Sequence, residues 1–105
     1  MNLDKFTRKI QENKGLYTIF YSEWCTYSIK ALELLKTKNI SFKGYKIDKI
    51  NGSIQELLSK LINTRNITGY NPNHKTRPLI FYNDGNKINF IGGYTDLVKH
   101  FNKLQ

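Results

Sequence analysis

Residues 16–35 read LYTIFYSEWCTYSIKALELL, and this stretch decides the fold. Its first part, Leu16 to Tyr21, is an apolar run of strand length and reads as a buried strand. Its second part opens at Cys25 and sets Ile29, Leu32 and Leu35 at helical spacing, with lysines on the other side. A helix is therefore expected over about 25–38. Cys25, the only cysteine in the chain, stands at the junction between the two. A thiol there meets unpaired backbone N–H groups and the positive end of the helix dipole. That setting moves a cysteine pKa from roughly 8.5 into about 3.5–7.5. The thiolate is the nucleophile of disulfide exchange, so the position itself implies chemistry.

The pattern on either side completes an α/β architecture. Leu3, Phe6 and Ile10 share a helical face, and Gly15 can end that helix. Phe42 to Ile47 reads as a second strand, and Ile54, Leu57, Leu58, Leu61 and Ile62 define a third helix. The polar segment Asn63 to Thr76, with Gly69 and Pro72, reads as a loop. Leu79 to Tyr82 and Lys87 to Ile91 flank Asn83-Asp84-Gly85-Asn86, a strong hairpin signal. A last helix carries Leu97, Val98, Phe101 and Leu104 on one face. Two early strands joined through a helix suggest a parallel pair, and the hairpin adds antiparallel strands. The expected fold is one domain over 1–105, with a mixed four-stranded sheet flanked by helices.

Composition narrows the function. The chain has 105 residues and a formal charge of +9, spread along its length without a dense basic block. That pattern reads as a solvated basic surface, able to steer anionic small molecules. Contact with nucleic acid is not expected. No apolar run reaches the roughly 18 residues that a membrane span requires. The first residues show no secretory pattern, and one unpaired thiol suits a reducing compartment, so the protein is read as cytoplasmic and monomeric.

Several residues admit both a chemical and a structural reading. Cys25 is either a reactive thiolate or a buried thiol that merely packs. Ser28 occupies the position where a resolving cysteine would follow, so its hydroxyl either bonds the thiolate or caps the first turn. Arg77-Pro78 starts a strand, where proline is ordinary. Gly92-Gly93-Tyr94-Thr95-Asp96 is either a turn with an N-cap at Thr95 or Asp96, or a helix start that receives a carboxylate while Asp96 meets an ammonium. His74 reads as solvated and His100 as a surface helix residue. Neither forms a metal-ligand pattern with Cys25.

Together these pieces resemble the glutaredoxin family over about residues 14–104. The resemblance is carried by Tyr17-Thr18-Ile19-Phe20 leading to Trp24-Cys25-Thr26-Tyr27-Ser28, by Thr76-Arg77-Pro78, and by Gly92-Gly93 with Thr95-Asp96. It implies a thioredoxin fold with an added N-terminal helix, a cis Pro78, and glutathione bound beside Cys25. By position, Tyr27 flanks the glutathione sulfur and the Arg77 backbone pairs with its cysteinyl part. Thr76, Pro78 and Gly93 line the site, and Thr95 and Asp96 hold the γ-glutamyl end. Gln55 corresponds to a contact with the glycine carboxylate. Relatives often carry lysine where this chain has Ser22, and Lys75 is a candidate substitute. With Thr26 and Ser28 in the motif, the site is of monothiol type.

The resemblance implies glutathione-dependent reduction of glutathionylated proteins, with glutathione as cosubstrate and no resident metal. One alternative is a dimer holding a [2Fe–2S] cluster through two Cys25 thiolates and two glutathione thiols. A further alternative is a noncatalytic module that uses its basic surface.

Overall fold

The computed structural model describes residues 6–47 and 54–103. Helix α1 (Phe6–Glu12) leads to strand β1 (Tyr17–Tyr21), then helix α2 (Thr26–Thr37) and strand β2 (Phe42–Lys46). Helices α3 (Ile54–Asn63) and α4 (Arg65–Thr68) follow, then strands β3 (Leu79–Asn83) and β4 (Ile88–Gly92), and helix α5 (Tyr94–Lys103). Leu3 and Leu104, assigned above to two helix faces, lie outside the described residues.

The sheet order is β2-β1-β3-β4. β1 runs parallel to β2, with Tyr17 opposite Phe42, and antiparallel to β3, with Ile19 opposite Ile80. β3 and β4 form the antiparallel hairpin. Its turn is built as the sequence suggests. Gly85 adopts φ +97°, and Asp84 Oδ1 accepts the N–H groups of Asn86 and Lys87 at 2.8 and 2.9 Å.

Strand alternation sends the side chains of β1 to two covered faces. Tyr17 and Ile19 face α2 and α5, packing with Ala31, Leu35, Leu97 and Phe101. Phe20 points the other way, into a cluster with Phe6, Ile10, Leu57, Leu61 and Phe81. A strand buried on both faces shows no polar–apolar alternation. The aromatic rings of the second layer meet edge to face, with Phe6 and Phe20 centroids 4.6 Å apart. Asn83 ties α1 to this sheet. Its amide donates to the carbonyls of Ile10 and Gln11, both at 3.0 Å, which satisfies two helix-end acceptors.

Four expectations need correction. The 63–76 segment is not a plain loop. Residues Arg65–Thr68 form α4, closed by Gly69 at φ +75° with its N–H on Arg65 O at 2.8 Å. Tyr70 then anchors the segment, its ring 5.2 Å from that of Phe90. Ile29 is exposed rather than in the core, since α2 turns Ser28, Ala31 and Leu35 inward. His100 is not a free surface residue, because its Nε2 lies 2.7 Å from the Tyr17 hydroxyl. Burial, then Lys103, holds the imidazole below its ordinary pKa, and burial, then Tyr82, pushes the Tyr17 phenol up to about 12. Both shifts favour the neutral forms of the pair. His74 is half-buried, with Nε2–H donating to Pro78 O at 3.2 Å and its ring against Phe90.

Candidate active site

Cys25 is the N-cap of α2, with extended backbone angles of φ −101° and ψ 119°. β1 delivers the chain to the end of the sheet, and Ser22 makes the turn that follows. The carbonyl of Ser22 accepts Cys25 N–H at 3.3 Å, and its Oγ accepts Trp24 N–H at 3.4 Å. Ser22 is fully enclosed, so this position builds the loop. An ion pair between Glu23 and Lys46 ties the loop to the end of β2.

The environment of the sulfur favours charge. Partial burial pushes the Cys25 thiol up. The Ser28 amide, the Ser28 hydroxyl, the Tyr27 amide and the Arg77 charge together outweigh it, and the pKa falls below its ordinary value. Ser28 itself is buried, and its Oγ accepts Ser22 N–H at 3.3 Å. That bond occupies an acceptor site and leaves the hydroxyl proton for the Cys25 thiolate. Of the two readings of Ser28, the thiolate partner fits the geometry better than a cap on a helix amide. When protonated, the sulfur donates weakly to Arg77 O at 3.6 Å.

Removing the Ser28 hydroxyl tests this arrangement. Ser28→Ala should raise the Cys25 pKa, because one of the groups that stabilise the thiolate is gone. The thiolate fraction near neutral pH then falls, and the rise of alkylation rate with pH moves to higher pH. Ultraviolet titration of the thiolate reads this directly. An unmoved midpoint would remove Ser28 from the set of stabilising groups. The substitution also removes the hydrogen bond from the Ser22 amide to Ser28 Oγ, at a cost of about 0.5–1.5 kcal/mol.

Two adjoining hollows extend from the sulfur. One, of about 350 Å³, is lined by Cys25, Tyr27, Lys75, Thr76 and Arg77. The other, of about 310 Å³, is lined by Tyr27, His74, Thr76, Arg77, Gly93, Tyr94, Thr95 and Asp96. They share Tyr27, Thr76 and Arg77, so they form one groove from the thiol to the start of α5. The Arg77–Pro78 peptide is cis, as the resemblance implies. Pro78 is buried behind the groove and contributes its carbonyl to His74.

At the far end, Gly93 precedes the first residue of α5. Asp96 Oδ2 accepts Gly93 N–H at 3.0 Å, so Asp96 acts from the third helical position and neither it nor Thr95 is the N-cap. Gly92 adopts φ +118°, and a Cβ there would run into the Asp96 carboxylate. The backbone is therefore drawn tight against this side chain. The groove end pairs a carboxylate with a helix start, which suits a ligand group bearing both ammonium and carboxylate.

Most of the expected residues thus converge on one groove. Gln55 does not join them. It is exposed on the first turn of α3 and is absent from the lining of both hollows. Lys75 does line the thiol end. His74 and Tyr94 were missed, though both line the groove. The Tyr94 ring sits 6.3 Å from that of Tyr27, and its place directly after Gly92-Gly93 was the available signal. Among the described residues, no group of three His, Cys, Asp or Glu is arranged to hold a metal ion.

Known proteins resemble this chain in sequence and in fold. The family model described as Glutaredoxin matches residues 17–85. A probable glutaredoxin of Acanthamoeba polyphaga mimivirus is 43% identical over 86 residues, 82% of this chain and 77% of that protein. The solution structure of a dithiolic glutaredoxin from Trypanosoma brucei brucei gives a TM-score of 0.69 at 26% identity, covering 92% of this chain and 86% of that one. A buckwheat glutaredoxin solved as a glutathione complex gives 0.66 at 16% identity, covering 96% and 83%, a likeness of fold alone. The architecture is the thioredoxin fold with an extra N-terminal helix. With a family match running from β1 into the β3–β4 turn, and a relative that shares more than two fifths of the aligned residues, the chain belongs to the glutaredoxin family.

Proposed function

We propose that the protein is a glutathione-dependent thiol–disulfide oxidoreductase that reduces glutathione mixed disulfides by a monothiol mechanism. Membership of the glutaredoxin family is consistent with thiol–disulfide chemistry. The observation that carries the finer reading is the continuous groove from the Cys25 sulfur to Asp96. A γ-glutamyl tripeptide has a sulfur in its middle and an α-amino acid at one end. The groove offers matching groups, with a thiolate at one end and a carboxylate beside a helix start at the other.

In the proposed cycle, the Cys25 thiolate attacks the glutathione sulfur of a glutathionylated protein. An S–S bond forms between Cys25 and glutathione, the original S–S bond breaks, and the protein thiolate leaves and takes a proton from water. A second glutathione, as thiolate, attacks the glutathione sulfur held on Cys25. Oxidised glutathione leaves and the Cys25 thiolate is restored. The net reaction converts one protein–glutathione disulfide and one free glutathione into one protein thiol and one oxidised glutathione. Ser28 cannot form a disulfide, so the resolving thiol must come from outside.

Tyr27 and Arg77 flank the reacting sulfur, with Thr76 and Lys75 beside them, and Gly93, Thr95 and Asp96 receive the γ-glutamyl end. Asp96→Asn separates charge from capping. The amide keeps an acceptor for Gly93 N–H but cannot balance an ammonium. Charge-assisted hydrogen bonds contribute about 1.5–3 kcal/mol. The KM for glutathione should therefore rise about tenfold or more. Steady-state kinetics with glutathione reductase coupling checks this, and an unchanged KM would remove Asp96 from ligand recognition. For the function itself, the test is turnover of a glutathionylated peptide in the same assay. Absence of glutathione-dependent turnover in the wild type would overturn the proposal.

A further inference from the structure

Exposed apolar surface is concentrated beside the thiol. Among the described residues, four large apolar side chains remain exposed: Trp24, Tyr27, Ile29 and Ile67. Three of them lie within four residues of Cys25. Trp24 is 88% exposed and Ile29 is 44% exposed. The Trp24 backbone donates to Ser22 Oγ, a bond any residue but proline would make, so the turn does not require the indole. Exposed tryptophan is characteristic of interface cores. Neither Trp24 nor Ile29 lines the two hollows of the groove.

Charge surrounds this apolar surface. The Lys30 Nζ lies 5.9 Å from the Tyr27 ring centroid and 6.0 Å from that of Tyr94, which holds the cation beside the groove. Lys75 and Arg77 lie across the thiol hollow. Of the nearby acids, Glu23 is ion-paired with Lys46, and Glu33 follows Lys30 by one helical turn. The balance is cationic, in keeping with the chain's net charge of +9.

In disulfide exchange the leaving sulfur lies in line with the bond being formed. With glutathione in the groove, the polypeptide half of the mixed disulfide is directed onto the surface outside it. We propose that Trp24, Ile29 and Lys30 form a docking surface for that polypeptide. It selects segments with an apolar side chain and acidic residues beside the glutathionylated cysteine. This inference rests on the oxidoreductase reading above.

The test compares four substrates: a mixed disulfide of glutathione with cysteamine, and three glutathionylated peptides. One peptide has Leu and Glu beside the cysteine, one has Ser in place of Leu, and one has Lys in place of Glu. Wild type should show kcat/KM about tenfold higher on the Leu/Glu peptide than on either variant peptide. The double variant Trp24→Ala, Ile29→Ser should lose the Leu preference and keep its rate on the cysteamine disulfide within about twofold. Lys30→Glu should reverse the Glu preference, and added salt should weaken that preference in wild type. Equal rates on all three peptides in wild type would overturn the docking surface, as would an equal loss on cysteamine disulfide and peptide in the double variant. Wild type inactive on the cysteamine disulfide would overturn the oxidoreductase reading, and the docking proposal with it.

Discussion

Cys25→Ser will abolish reduction of glutathionylated peptide. A serine hydroxyl does not ionise near neutral pH, and no other cysteine exists in the chain to take over. The groups that stabilise the thiolate, the Ser28 and Tyr27 amides, the Ser28 hydroxyl and Arg77, act only on an anion that serine does not form. Removing a covalent nucleophile costs far more than removing a supporting residue, so kcat/KM should fall by at least about 10³-fold. The substitution is close to isosteric at a partly exposed helix start, so the fold should survive with an unchanged circular dichroism spectrum. A coupled assay with wild type and variant side by side checks both statements. Retained turnover would place the chemistry elsewhere in the molecule.

Phe20→Ala will have the largest effect on stability. Phe20 is fully buried on the central strand β1 and stacks with three rings, with centroids 4.6 Å to Phe6, 5.7 Å to Tyr45 and 5.9 Å to Phe81. It therefore holds α1, β2 and β3 to β1 at once, five residues before the thiol. Truncating a buried Phe costs about 3–5 kcal/mol through lost burial and the cavity left behind. Domains of this size are stable by about 5–15 kcal/mol. The melting temperature should fall by at least about 12 °C. Phe20→Leu, which keeps most of the volume, should cost much less. Thermal and urea unfolding read the difference. A shift of only a few degrees for the alanine variant would show that this cluster does not organise the sheet.

The sequence was most informative where local pattern and tertiary environment agree. The largely apolar run at β1 signalled a buried strand, and both of its faces are covered, with Phe20 packed into one cluster and Ile19 into the other. Asp84-Gly85 signalled a tight turn, and the carboxylate of Asp84 closes it. Cys25 was placed at a helix start by spacing alone, and it is the N-cap.

Contacts between distant segments were not legible. His100 meets a hydroxyl 83 residues away, and nothing in the spacing of α5 announces it. His74 looked solvated because its neighbours in sequence are polar, yet folding of 63–76 onto β4 half-buries it in the groove. The same polarity hid α4, whose closure depends on the left-handed Gly69 and on Tyr70 reaching Phe90. Ile29 fits a helical apolar stripe on paper, but the inward arc of α2 is centred on Ser28, Ala31 and Leu35. A polar Ser28 inside that arc makes sense only once its bond to the Ser22 amide is seen.

Mass spectrometry of the covalent intermediate tests the central claim most directly. The wild-type protein is mixed with one glutathionylated peptide, without free glutathione, and quenched with acid. The account predicts an intact mass raised by one glutathione, located on Cys25, with the free peptide thiol released in equal amount. A protein–peptide disulfide in place of the glutathione adduct, or no adduct while Cys25 remains alkylatable, would contradict it.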